Sequence, residues 1–125
     1  MARNPFVKPD TVRLELTGGD WLEVKKRLTA GEYRERLARE YTADAISGRM
    51  ALDMRQAGFA LIVSYAVGWS FIDAEKAPVP FSEDALKAVD IDTFREILQA
   101  VEAHDAADEA ARSAEKNERA GATVS

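Results

Sequence analysis

The residues of this chain best suited to do chemistry gather in one short stretch, Glu102, His104, Asp105, Asp108 and Glu109. An imidazole can act as a general base, and carboxylates three and four apart share one side of a helix and could hold a hard cation. Neither possibility is completed by its surroundings. His104 is the only histidine and the chain has no cysteine, so a histidine-based metal site would rest on a single ligand. The carboxylates lack the Asp-x-Asp-x-Asp-Gly loop of an EF-hand. Ser64 lies inside an apolar run, Ser70 reads as a loop residue and Ser82 as a helix cap, so no nucleophile stands out. The expectation is no catalytic residue, no cofactor site and no metal ligand. His104 is expected to face solvent, and Asp105, Asp108 and Glu109 to form a solvated helix side.

A second candidate is GGDWLEVKKRLTAGE, residues 18–32. Gly18-Gly19 would suit a phosphate loop, but neither the Gly-Lys-Ser/Thr of a P-loop nor a third spaced glycine follows, so the pair reads as a turn. Lys25-Lys26-Arg27 would suit nucleic acid, but Glu23, Glu32, Glu35 and Glu40 lie close by, and the run reads as a solvated strand edge. The formal charge of −5, from 17 Lys and Arg against 22 Asp and Glu, also argues against binding nucleic acid through bulk charge. Trp21, Tyr65, Trp69 and Phe71 could line a pocket, and they read as core.

These residues need elements to position them. With 125 residues, 46% hydrophobic and 31% charged, the chain has the size and apolar content of one domain. The absence of cysteine suits a reducing cytosol. MARNPFVKPD has no apolar core of the kind a signal peptide carries. AGFALIVSYAVGW, residues 57–69, falls short of the roughly 20 residues of a membrane helix. The expectation is a soluble intracellular protein, with Phe6 and Val7 tucked against its body.

Val12, Leu14 and Leu16 alternate with polar residues and predict a strand. Gly18-Gly19-Asp20 turns it back into a second strand. Thr29 caps a helix over 30–46, with Glu32 as its reciprocal partner and Tyr33, Leu37 and Tyr41 at four-residue spacing. Ser47-Gly48 breaks it. A second helix over 49–68 begins amphipathic, with Met50 and Met54, and becomes apolar all round. Pro78 and Pro80 exclude regular helix. Ser82 caps a short helix over 83–89, and Asp90 or Asp92 caps a last one carrying Phe94, Ile97, Leu98 and Val101 at i, i+3, i+4, i+7. From 102 to 120 the chain is almost wholly Ala and charged residues. The predicted fold is α+β, mostly α: an N-terminal β-hairpin, about four helices and a charged, Ala-rich C-terminal extension. Residues 1–104 form the single globular domain, and 105–125 a fraying helix and disordered tail.

The order of features resembles the small tail assembly chaperones of long-tailed bacteriophages (siphophages). The matching pieces are Asp20-Trp21-Leu22-Glu23-Val24-Lys25-Lys26-Arg27-Leu28-Thr29-x-Gly31-Glu32 and the pair Trp69-Ser70-Phe71 … Pro78-Val79-Pro80. The resemblance covers most of the predicted domain. It implies a non-enzymatic holdase that keeps the long, hydrophobic tape measure protein soluble and helps recruit tail tube subunits. Such a protein acts in the host cell cytoplasm and is absent from the finished virion. Many members are also made as a longer product by ribosomal frameshifting. The alternative is a structural minor tail or tail completion protein retained in the particle. The partners implied are protein alone, with neither nucleic acid nor membrane, and a homo-oligomer is compatible with the role. Tyr33, Tyr41, Met50 and Met54 are the candidate partner-binding residues, since methionine adapts to varied surfaces and tyrosine gives large contact area at modest entropic cost.

Overall fold

The structure, a computed structural model, describes residues 2–43, 50–52 and 54–122. Strand β1 (Thr11–Glu15) is followed by a 3-10 turn (Thr17–Gly19) and strand β2 (Trp21–Lys25). The two pair antiparallel with Leu14 opposite Leu22 and Val12 opposite Val24, so the alternating apolar residues of both share one face. Gly18 and Gly19 take φ of 74° and 83°. Those left-handed values are why two glycines stand at this turn.

Helix α1 (Ala30–Glu40) starts on the predicted capping box. The Glu32 amide donates to Thr29 Oγ1 at 3.2 Å, and the Thr29 amide donates to Glu32 Oε1 at 2.9 Å. The helix ends earlier than its periodicity suggested. At Tyr41 the backbone turns extended and begins strand β3 (Tyr41–Ala43), which pairs antiparallel with β4 (Met50–Leu52). Tyr41 and Thr42 favour extended backbone, so the expected helix over 30–46 stops at Glu40. The Ser47-Gly48 break lies outside the described residues.

The expected helix over 49–68 is also shorter, α2 (Met54–Tyr65), and it gives way directly to β5 (Ala66–Trp69). Val67 and Trp69 are strand formers, and β5 adds to β2 with Trp69 opposite Leu22 and Gly68 opposite Glu23. The N-terminal hairpin is thus two strands of a three-stranded antiparallel sheet, order β1-β2-β5. Its central strand is β2, and of Lys25-Lys26-Arg27, read as a strand edge, only Lys25 lies in it, the other two following its end.

Helix α3 (Glu83–Ala88) is capped by Ser82, whose Oγ accepts from the Ala85 amide at 3.0 Å. Helix α4 (Ile91–Ala122) is capped by Asp90, whose Oδ1 accepts from the Thr93 amide at 2.8 Å. It runs without a break past residue 104, where the expected domain boundary lay.

The core lies between one face of the sheet and helices α2, α3 and α4: Leu22 and Val24 meet Ile62, Tyr65, Leu86, Ile97 and Val101. Helices α2 and α4 approach closely at Gly58, where a Cβ would sit 3.1 and 3.2 Å from the two Leu98 methyls. Beside them Trp69 donates its indole N–H to the Val79 carbonyl at 2.6 Å and packs against Phe71 and Phe81. Phe6 stands 83% exposed, against the expectation that it tucks in, while Val7 is half-buried. Among the described residues no helix is long and apolar enough to cross a membrane.

Candidate functional site

The acidic side of α4, expected to be solvated, is instead where the molecule ties its elements together. Asp105 Oδ1 accepts from the Tyr65 hydroxyl at 2.7 Å and from Arg36 Nη1 at 3.2 Å, so one carboxylate joins α2, α1 and α4. Arg36 Nε also lies 3.1 Å from Glu40 Oε1 on its own helix, close enough for attraction but not aligned as a hydrogen bond. Burial first, and then the Asp105 carboxylate, push the Tyr65 phenol well above its ordinary 10.0, so it stays a donor throughout the neutral range.

One turn further on, Asp108 is buried, with its Oδ1 accepting from Arg27 Nε at 2.9 Å and its Oδ2 lying 3.4 Å from Arg112 Nε. The remaining Arg27 nitrogens donate to the two Glu115 oxygens at 3.0 and 3.2 Å. Hydrogen bonds to Glu115 and then Asp108 raise the Arg27 pKa, and Arg27 holds the Glu115 carboxyl below the usual range. Of the three acidic residues expected on a wet face, Glu109 alone is exposed.

His104 is half-buried, a correction to its expected exposure. Its ring stands edge-on to Tyr65 at 5.2 Å, and Nε2 lies 2.9 Å from the Lys25 carbonyl oxygen. A carbonyl only accepts, so Nε2 carries the hydrogen and is occupied in joining α4 to the end of β2. Ser64 Oγ donates to the Leu61 carbonyl at 2.7 Å. Ser70 Oγ accepts from the Trp21 amide and donates to Asp20, both at 2.9 Å. Each of these polar groups has a structural partner, and neither Ser64 nor Ser70 forms a nucleophile–base pair with His104. Among the described residues no three His, Cys, Asp or Glu side chains are placed to hold a metal ion.

The candidate partner-binding residues fall in two sets. Tyr33 and Tyr41 are 40% and 39% exposed, and Arg36 lies over the Tyr33 ring at 5.0 Å. Met50 opens β4 and Met54 opens α2, but their side chains lie outside the described part of the structure. Helix α1 as a whole buries no residue, and Leu37, between the two tyrosines in the predicted spacing, is half-buried. Ion pairs hold it: Lys25 with Glu32, Arg36 with Asp105 and Arg39 with Glu83, to three different elements. Between α1 and α2 a crevice of about 90 Å³ is lined by Lys25, Glu35, Arg39, Ala60 and Val63.

The sequence had singled out Asp105 and Asp108 but missed their role, because the partners Arg36 and Arg27 stand 69 and 81 positions away. Compared with protein-family models, curated proteins and solved structures, the chain matches none.

Proposed function

We propose that this protein is a bacteriophage tail assembly chaperone, a non-enzymatic binding protein that holds the tape measure protein soluble in the host cytoplasm and helps recruit tail tube subunits. The reading rests on the sequence resemblance, and the observation that carries it furthest is the exposure of Tyr33 and Tyr41. A holdase needs aromatic or apolar area available in the free protein, and Tyr33 on α1 and Tyr41 just beyond its end offer it, beside a helix that buries no residue of its own. Such a helix can meet a client without disturbing the core of Leu22, Ile62, Ile97 and Val101.

Co-expression with a tape measure protein tests the reading. The expected result is a client kept soluble by the full chain and lost to the pellet with Tyr33→Ala/Tyr41→Ala. Equal client solubility with and without the chain would sink it. Finding the chain in stoichiometric amounts in purified virions would instead identify a structural tail protein.

A further inference from the structure

A groove of about 980 Å³ runs between the N-terminal segment 3–8 and the second half of α4, with residues 26–28 as its floor. Seven Lys and Arg side chains line it against three carboxylates, a surplus of four positive charges in a chain whose total is −5. The rest of the molecule therefore carries −9. Arg27 and Arg112 are committed to Asp108 and Glu115. Arg3, Lys8, Lys26, Lys116 and Arg119 have no ion-pair partner among the described residues. The walls are not wholly polar: Leu28, Val7, Ala107 and Ala111 line them, and the exposed Phe6 ring stands among them.

We propose that this groove binds a short acidic segment of a partner protein that carries apolar side chains among its carboxylates. The charge surplus supplies attraction and steering for carboxylates, and Phe6, Val7 and Leu28 supply apolar contact that phosphates do not use. From Ala107 to Arg119 the helix is about 18 Å long, enough for a few turns of peptide. A longer polyanion such as nucleic acid would run out of the groove onto the acidic remainder and be repelled there. The proposal stands on the groove alone and does not depend on the identity of the client proposed above.

The test uses the full chain and a fluorescein-labelled amphipathic peptide of about 15 residues with alternating Glu and Leu faces, read by fluorescence anisotropy. Comparison ligands are the same peptide with Lys in place of Glu, and a single-stranded oligothymidine of matched length. The variant is Lys26→Gln/Lys116→Gln/Arg119→Gln, whose side chains make no ion pair among the described residues, so circular dichroism should match that of the parent.

The acidic peptide is expected to bind, with affinity falling at least about tenfold in the variant and again as salt rises from about 0.05 to 0.5 M. No binding, equal binding by parent and variant, or equal binding of the Lys peptide would overturn the proposal. So would tighter binding of the oligothymidine, which would make the groove a nucleic-acid site. Concentration-dependent self-association of the parent that the variant lacks would assign the groove to a second copy of this chain.

Discussion

At the scale of single residues, Ile97 and Leu98 show how adjacent apolar positions divide their work. Ile97 has no exposed surface, whereas Leu98 is half-buried against Gly58. Ile97→Ala should cost about 2–5 kcal/mol, and Leu98→Ala visibly less, as read from urea midpoints at constant m-value. A larger loss at Leu98 would mean that the close approach of α2 and α4 carries more of the core than Ile97 does. Tyr65 gives a second prediction. Its raised pKa means that the folded state binds the phenolic proton more tightly than the unfolded state. The associated stability is full below pH 10.0, the ordinary value, and is lost as pH rises beyond it, because the unfolded phenol ionises first. Tyr65→Phe should cost about 0.5–1.5 kcal/mol near neutrality and flatten the alkaline decline. A decline as steep as the parent's would place its cause elsewhere. Neither the partner of Tyr65 nor that of Asp108 was legible in the sequence, since a residue's type does not say what a distant turn will bring beside it.

Among the elements, α1 packs along α2 without burying a residue of its own, and ion pairs tie it to three further elements. Burial alone would push the Glu32 carboxyl up, but hydrogen bonds from Lys25 and Thr29 outweigh it and leave it below the usual range. Arg39 likewise holds Glu83 low. Carboxyls lowered in the folded state contribute stability above the ordinary 4.5 that is lost as pH falls through the folded values. At about 1 M salt the screening length shrinks to roughly 3 Å. The amides of α1 should then exchange faster with solvent deuterium, with much less change in α4 around Ile97–Val101. Uniform acceleration of both helices would show that α1 is not a separately opening unit. The capping box and the β1–β2 hairpin were readable because their signals are local: Thr29 and Glu32 satisfy each other across one turn, and alternation with a two-glycine turn needs no distant partner. Strands β3, β4 and β5 were not readable, because runs of three or four residues beside helical patterns become strands only through pairing. Residues 66–69 continue an apolar run that fits a helix, and only the neighbouring β2 makes them a strand.

For the whole molecule, the question is where the folded unit ends. The apolar pattern stops at Val101, and a boundary at residue 104 followed from it. Helix α4 runs on past it for a total of 32 residues, about 48 Å at 1.5 Å per residue. Its extension is held by Asp105 and Asp108 rather than by buried carbon. Two truncations separate these contributions. A chain ending at Ala111 keeps both carboxylates and every buried apolar contact and removes Arg112 and Glu115, exposed partners of Asp108 and Arg27 whose pairings are screened. Its melting temperature should stay close to the parent's. A chain ending at His104 removes Asp105 and Asp108, leaving the Tyr65 hydroxyl without its acceptor and the Arg36 and Arg27 guanidiniums short of counter-charge. Part-buried groups that lose a charged partner cost about 1–3 kcal/mol, so this chain should melt clearly below the first. Arg36 still has Glu40, and Arg27 is about one-third exposed, which keeps the loss short of unfolding. Equal melting temperatures for the two truncations would mean that the ion pairs merely decorate a unit closed at Val101. A collapse of the longer truncation would mean that the exposed turns beyond Ala111 stabilise the fold by contacts other than these pairs.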